Sequence, residues 1–138
     1  MKLSVCCFSF FFLLGLINIM MGSGTVQLSV REAGDIRIID IDGKIDMEEE
    51  RKFRDLVTDL LDANLLKLVF NFTKCGYLCS PALGIIAVSI KKSREGNGDV
   101  KLLKVNEYLH SIFEITKLTQ IVDFYDDEAT ALGSFEKA

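Results

Sequence analysis

After residue 24 two apolar rhythms take turns along the chain, and that alternation restricts it to a small set of architectures. Thr25 to Arg31 (TVQLSVR) places Val26, Leu28 and Val30 at every second position, the pattern of a half-buried strand. Ile36 to Ile41 (IRIIDI) is β-branched and reads as a second strand. Glu32-Ala33-Gly34-Asp35 is a turn signal, so the two pair as a hairpin, which Asp42-Gly43 ends. Phe53, Leu56, Val57, Leu60 and Leu61 then follow the helical period and predict an amphipathic helix of several turns. Leu65 to Phe72 (LLKLVFNF) is apolar enough for a central strand covered on both faces, and Thr73 to Cys79 reads as a loop or an extension of it.

The same alternation continues to the end. A second helix opens at Ser80-Pro81, carries Leu83, Ile86, Ala87 and Ile90 on one face and stops at Gly96-Asn97-Gly98. Lys91, Lys92 and Arg94 suit its negative end. Val100 to Val105 is a further strand, and Asn106 or Glu107 starts a short helix with Leu109, Ile112, Phe113 and Ile115. A short extended piece, Ile121 to Phe124, precedes a last helix that follows Asp126-Asp127 and runs through Leu132. Strands that alternate with helices need crossover connections, hence an α/β fold with a mixed, largely parallel sheet of four to five strands.

Composition narrows the function. The chain has 138 residues, the size of one domain, and a formal charge of −4 with a pI near 5.0. Nucleic-acid binders show a basic patch, so nucleic acid is not the expected partner. One histidine, His110, makes a poor basis for a catalytic dyad or a metal site and reads as a surface or boundary residue. Cys75 and Cys79 have three residues between them rather than two, and no second cluster completes a zinc set, so free thiols are expected, with neither metal nor cofactor.

Residues 1–24 stand apart. Met1 to Met21 (MKLSVCCFSFFFLLGLINIMM) is nearly all apolar after Lys2 and leads into Gly22-Ser23-Gly24. Three readings stay open. It is a secretory signal with small residues near a cleavage site, or a membrane anchor close to the roughly 20 residues that span a bilayer, or a misassigned start with translation beginning at Met20 or Met21. Residues 25–138 form the domain in all three.

Local chemistry singles out two segments. Asp46 is a candidate N-cap for the first helix, with Glu48, Glu49 and Glu50 as a solvated first turn at the positive end of the dipole. Ser80 is a candidate N-cap for the second helix, with Pro81 at the first helical position. Cys79 beside a helix start is a position where a thiol can become more acidic.

The order of elements, Gly43-Lys44-Ile45-Asp46 after the hairpin and Tyr77-Leu78-Cys79-Ser80-Pro81-Ala82-Leu83-Gly84 opening the second helix resemble the STAS domain of bacterial anti-sigma factor antagonists. The resemblance covers roughly residues 25–135 and extends to Glu107-Tyr108-Leu109 and Ile115-Thr116-Lys117-Leu118 in the family's last main helix. It implies a phosphorylation-gated adaptor whose partner is an anti-sigma factor that is also a serine protein kinase. Ser80 matches the family's phosphoacceptor, Asp46 the aspartate near the same surface, and Asp46, Cys79, Ser80, Pro81, Leu83 and Gly84 the partner-binding set. Cys79 stands where the family has an acidic residue, Pro81 where it has a second serine or threonine, and Ala82 where it has glycine.

Three functions compete at this point. The first is the adaptor just described, which places the domain in the cytoplasm because the partner uses ATP; an anchored or exported chain is the alternative if the N-terminal segment is genuine. The second is an unphosphorylated STAS scaffold subunit of a transport or signalling complex, which Cys79 and Pro81 favour. The third is a thiol enzyme using Cys79, for which no histidine base or oxyanion motif is evident; the expectation is therefore no catalytic residue.

Overall fold

The computed structural model describes residues 26–135. The segment 1–24, with its three readings, and Thr25 lie outside the described residues. Strands β1 (Val26–Ala33) and β2 (Ile36–Ile45) form the expected antiparallel hairpin. Helix α1 (Glu50–Asp62) leads to β3 (Lys67–Leu78), and α2 (Ser80–Glu95) to β4 (Asp99–Leu103). Helix α3 (Glu107–Ile115), a 3-10 turn (Leu118–Gln120), β5 (Asp123–Tyr125) and α4 (Glu128–Ser134) complete the chain. The strands lie side by side in sequence order, and every pairing after the hairpin is parallel.

Two apolar layers sandwich the sheet. On one face Phe53, Val57 and Leu60 of α1, Ala82, Ile86 and Ile90 of α2, and Leu109 and Phe113 of α3 close over Ile39, Ile41, Leu68, Phe70 and Phe72. Phe53, Phe70, Phe72 and Phe113 make consecutive ring contacts at 5.7–6.4 Å, within the spacing of favourable aromatic pairs. On the other face Leu132 and Phe135 cover Ile36, Ile38, Val69 and Leu103. The remainder of that face is polar: Arg31 Nε donates to Asp40 at 2.6 Å, Asn71 Nδ2 to Asp40 at 2.7 Å, and Arg31 also binds Glu128 of α4.

The central strands are longer than their sequence suggests. Asp42-Gly43 does not end β2; the strand runs on to Ile45, and opposite it β3 carries one extra residue between Asn71 and Lys74 and another between Cys75 and Tyr77. Gly43 takes φ +119°, a conformation open to glycine, so the turn-like dipeptide is accommodated within the strand opposite the bulged β3. Likewise Thr73 to Leu78 extends β3, and the extensions pair with each other, Lys44 with Tyr77 and Ile45 with Leu78. At the far end Gly98 lies against the backbone of Leu66, where an added Cβ would fall 2.1 Å from the carbonyl oxygen, so glycine is required for the entry into β4.

Candidate functional site

The two sequence segments singled out above meet at the C-terminal ends of β2 and β3. Beyond the pair Ile45 and Leu78, both buried, the backbone N–H of Cys79 donates to the carbonyl of Ile45 at 2.8 Å. That bond ties the start of α2 to the end of β2, and so holds Asp46 and Ser80 on adjoining strand ends. Ser80, Pro81 and Gly84 are exposed, while Asp46 and Leu83 are half-buried.

Four local expectations are corrected. Asp46 does not cap α1; its Oδ1 accepts the N–H groups of Glu48 and Glu49, both at 3.0 Å, and so closes a turn that precedes the helix. Glu49 is the N-cap of α1, and it is buried, its carboxylate 3.0 Å from Lys52 Nζ, so the first turn is not solvated throughout. Ser80 is the first helical residue rather than the N-cap, which is Cys79, and the helix start has no side-chain cap. Cys79 belongs to the core rather than to the contact surface: it is 3% exposed and packs among the residues under the helices. Burial of its side chain counts against the thiol-enzyme reading. Cys75 is also buried, and burial pushes its thiol up from the ordinary range.

The start of α2 is nearly self-satisfied. Pro81 supplies no N–H, and the N–H groups of Ala82 and Leu83 both turn back to the carbonyl of Cys79, at 3.0 and 3.3 Å. An anion at this helix start therefore finds fewer backbone donors than the first turn of a helix usually offers.

Sequence reasoning missed a groove that begins beside Ser80. Its volume is about 400 Å³. It runs between α1 and α2, lined by Val57 and Leu61 on one side and Pro81, Gly84, Ile85 and Val88 on the other. Glu50, Arg54, Asp62 and Lys92 stand along its rim, two of each sign. Gly84 sits in mid-helix with nothing within 4 Å of where a Cβ would be. The signal was present: Pro81, Gly84, Ile85 and Val88 follow the helical period as a second stripe. Lys44 is exposed beside the site, and Tyr77 is 37% exposed. His110 stands away on α3, with its ring edge against Phe124. Among the described residues no group of three acidic, histidine or cysteine side chains could hold a metal ion.

Residues 27–131 match the STAS domain. The chain belongs to the STAS domain family. TM1081 of Thermotoga maritima, a candidate anti-sigma factor antagonist, superposes with a TM-score of 0.75 at 21% identity, over 79% of this chain and 94% of that one. An anti-sigma factor antagonist of Mycobacterium paratuberculosis gives 0.73 at 17% identity, over 80% and 94%. The phosphorylated form of the Bacillus cell fate determinant SpoIIAA gives 0.64 at 15% identity, over 79% and 97%. At these identities the likeness to each structure is one of fold. It bears out the α/β class and the largely parallel five-stranded sheet of the STAS fold. Among the described residues of this STAS chain no helix is long and apolar enough to cross a membrane.

Proposed function

We propose that this STAS protein is an anti-sigma factor antagonist-like regulator that binds a kinase-type anti-sigma factor through the end of the domain bearing Ser80, and that a phosphate on Ser80 releases the partner. The observation that carries the reading is the pairing of an exposed serine in the first turn of α2 with a groove whose glycine the fold does not need. A glycine within a helix costs roughly 0.5–1 kcal/mol relative to alanine, and here no neighbour requires it. Close approach of a partner at Gly84 accounts for it. Asp46, Pro81 and Leu83 frame the same surface; Cys79 supports it from beneath.

The partner supplies the chemistry, carrying the γ-phosphoryl group of ATP to Ser80, and the domain serves as substrate and ligand. Because the start of α2 is short of donors, the phosphate is not captured in a cradle. It acts by its added charge, about −1.5 to −2, and by its bulk at the mouth of a groove whose rim is otherwise balanced. Use of ATP places the domain on the cytoplasmic side.

A second reading has its own support. Pro81 and the inward-turned N–H groups make α2 a poor seat for phosphate, which suits a permanent scaffold contact through the same groove. The two part on one experiment. Full-length chains carrying Ser80→Ala and Ser80→Asp are used to capture partners from the native cells. The switch requires a kinase-type partner held by Ser80→Ala and lost with Ser80→Asp. Equal retention by both supports the scaffold.

A further inference from the structure

The segment that precedes the fold joins it at the Ser80 end. Val26 pairs with Gly43, Gly43 pairs with Cys75, and the Asn106 side-chain amide donates to the Cys75 carbonyl at 3.4 Å. A single row thus crosses from the chain's entry to the start of α3. Around this row stand three exposed large apolar side chains: Met47 (68%) in the turn before α1, Tyr77 at the end of β3, and Tyr108 (54%) in the first turn of α3. Ile115 and Ile121 are exposed at the other end of α3, so exposure alone does not choose between the ends. The entry point of the chain does.

Residues 1–21 are as long and apolar as a bilayer crossing of roughly 20 residues requires, with Lys2 as their one charge. Only Gly22 to Thr25 separate them from Val26. The five extended steps from residue 21 to Val26 reach at most about 18 Å, so whatever holds residue 21 holds the Val26 row close by. We propose that residues 1–21 lie in a phospholipid bilayer and that Met47, Tyr77 and Tyr108 seat the Ser80 end of the domain on its surface. Tyrosines suit this place, with an apolar ring and a hydroxyl that stays wet at headgroup level. Exposed Lys44, Lys74 and Lys104 are matched at this end by exposed Asp42, Glu48 and Glu107, so the seat has no preference for anionic lipid. The bilayer then covers Ser80, and seating and partner binding exclude each other; that consequence rests on the reading of Ser80 given above.

The test uses the full chain with Cys6→Ser and Cys7→Ser, since Cys75 and Cys79 are buried. A fluorophore is placed in turn on Met47→Cys, Tyr108→Cys, Asp62→Cys and Glu95→Cys, all exposed positions. The chains are reconstituted into phosphatidylcholine vesicles whose acyl chains carry a bromine quencher. Loss of fluorescence at 47 and 108, with none at 62 and 95, is the result expected, and it persists in high salt. Quenching at 62 and 95, no quenching at any position, or a chain that does not float with the vesicles would each overturn the proposal. Those failures leave the partner reading standing, because phosphate transfer to Ser80 is measured without vesicles.

Discussion

The N–H of Cys79 donates to the carbonyl of Ile45 at 2.8 Å, one residue beyond the last paired positions of β2 and β3. Through this contact the core dictates where Ser80 stands. The side chain of Cys79 is locked below the surface, its carbonyl receives the first N–H groups of α2, and the next residue emerges into solvent.

Ile45 is the support of that arrangement, fully buried beneath the site. Ile45→Ala is expected to cost roughly 2–5 kcal/mol, read as a lower denaturation midpoint at unchanged slope. Amide exchange at Cys79 and Ala82 should rise with it, since their bonds depend on the β2 end.

Gly84 separates stability from function. Gly84→Ala fills open space on a helix and is expected to raise stability by about 0.5–1 kcal/mol. Gly84→Arg should fold as well and lose the partner, because its side chain occupies the groove. Thermal denaturation beside a partner-capture assay checks both; a destabilised Gly84→Ala would show that the glycine serves the fold.

Asp59, exposed on α1, has its carboxyl raised above the ordinary range, by partial desolvation first and then by Asp55 and Asp62 one turn away on either side. A folded-state pKa above the unfolded one means that the folded chain holds its proton longer, so stability falls as pH rises through that window. Asp59→Asn is therefore expected to stabilise the protein at neutral pH, by about 0.2–0.5 kcal/mol for each like-charge pair relieved. Urea denaturation at pH 7 measures it.

Asp99 shifts the opposite way. Burial opposes its charge, but hydrogen bonds from Lys101 at 2.9 Å, the Val100 N–H at 2.8 Å and Arg94 at 3.0 Å outweigh it and hold the carboxyl below the usual range. Its contribution is present above the unfolded value of about 3.9 and is lost as pH falls through the lower folded value. Asp99→Asn should flatten the acid limb of the stability curve below that point and lower stability at pH 7.

The fold was legible because each strand and helix carried its own period, and Leu65 to Phe72 declared a strand covered on both sides. What escaped notice depended on contacts distant in sequence. Asp42-Gly43 has the composition of a turn, and only pairing of β2 with the bulged β3 carries the strand through it. The cap of α2 is a backbone bond from Cys79 to Ile45, which leaves no mark in side chains, so Ser80 looked like the capping residue. The groove depends on how α2 is rotated. Ser89 and Ser93 face inward, Ser89 by donating to the Ile86 carbonyl at 2.7 Å, which leaves Leu83 and Ala87 only half-buried and Val88 51% exposed. Ser80 and Asp46 stand out in the sequence as candidate caps and, together with Gly84, through the family resemblance, whereas the polar residues of the groove rim give no such signal.

The phosphorylation state of the native chain tests the switch at Ser80 most directly. Intact-mass measurement of the protein taken from its own cells with phosphatases inhibited, followed by fragmentation, reports both phosphate and the true N-terminus. A fraction of molecules carrying one phosphate on Ser80 is the expected result. A chain that carries none under any growth condition, or carries it elsewhere, contradicts the switch and leaves the groove as a permanent contact.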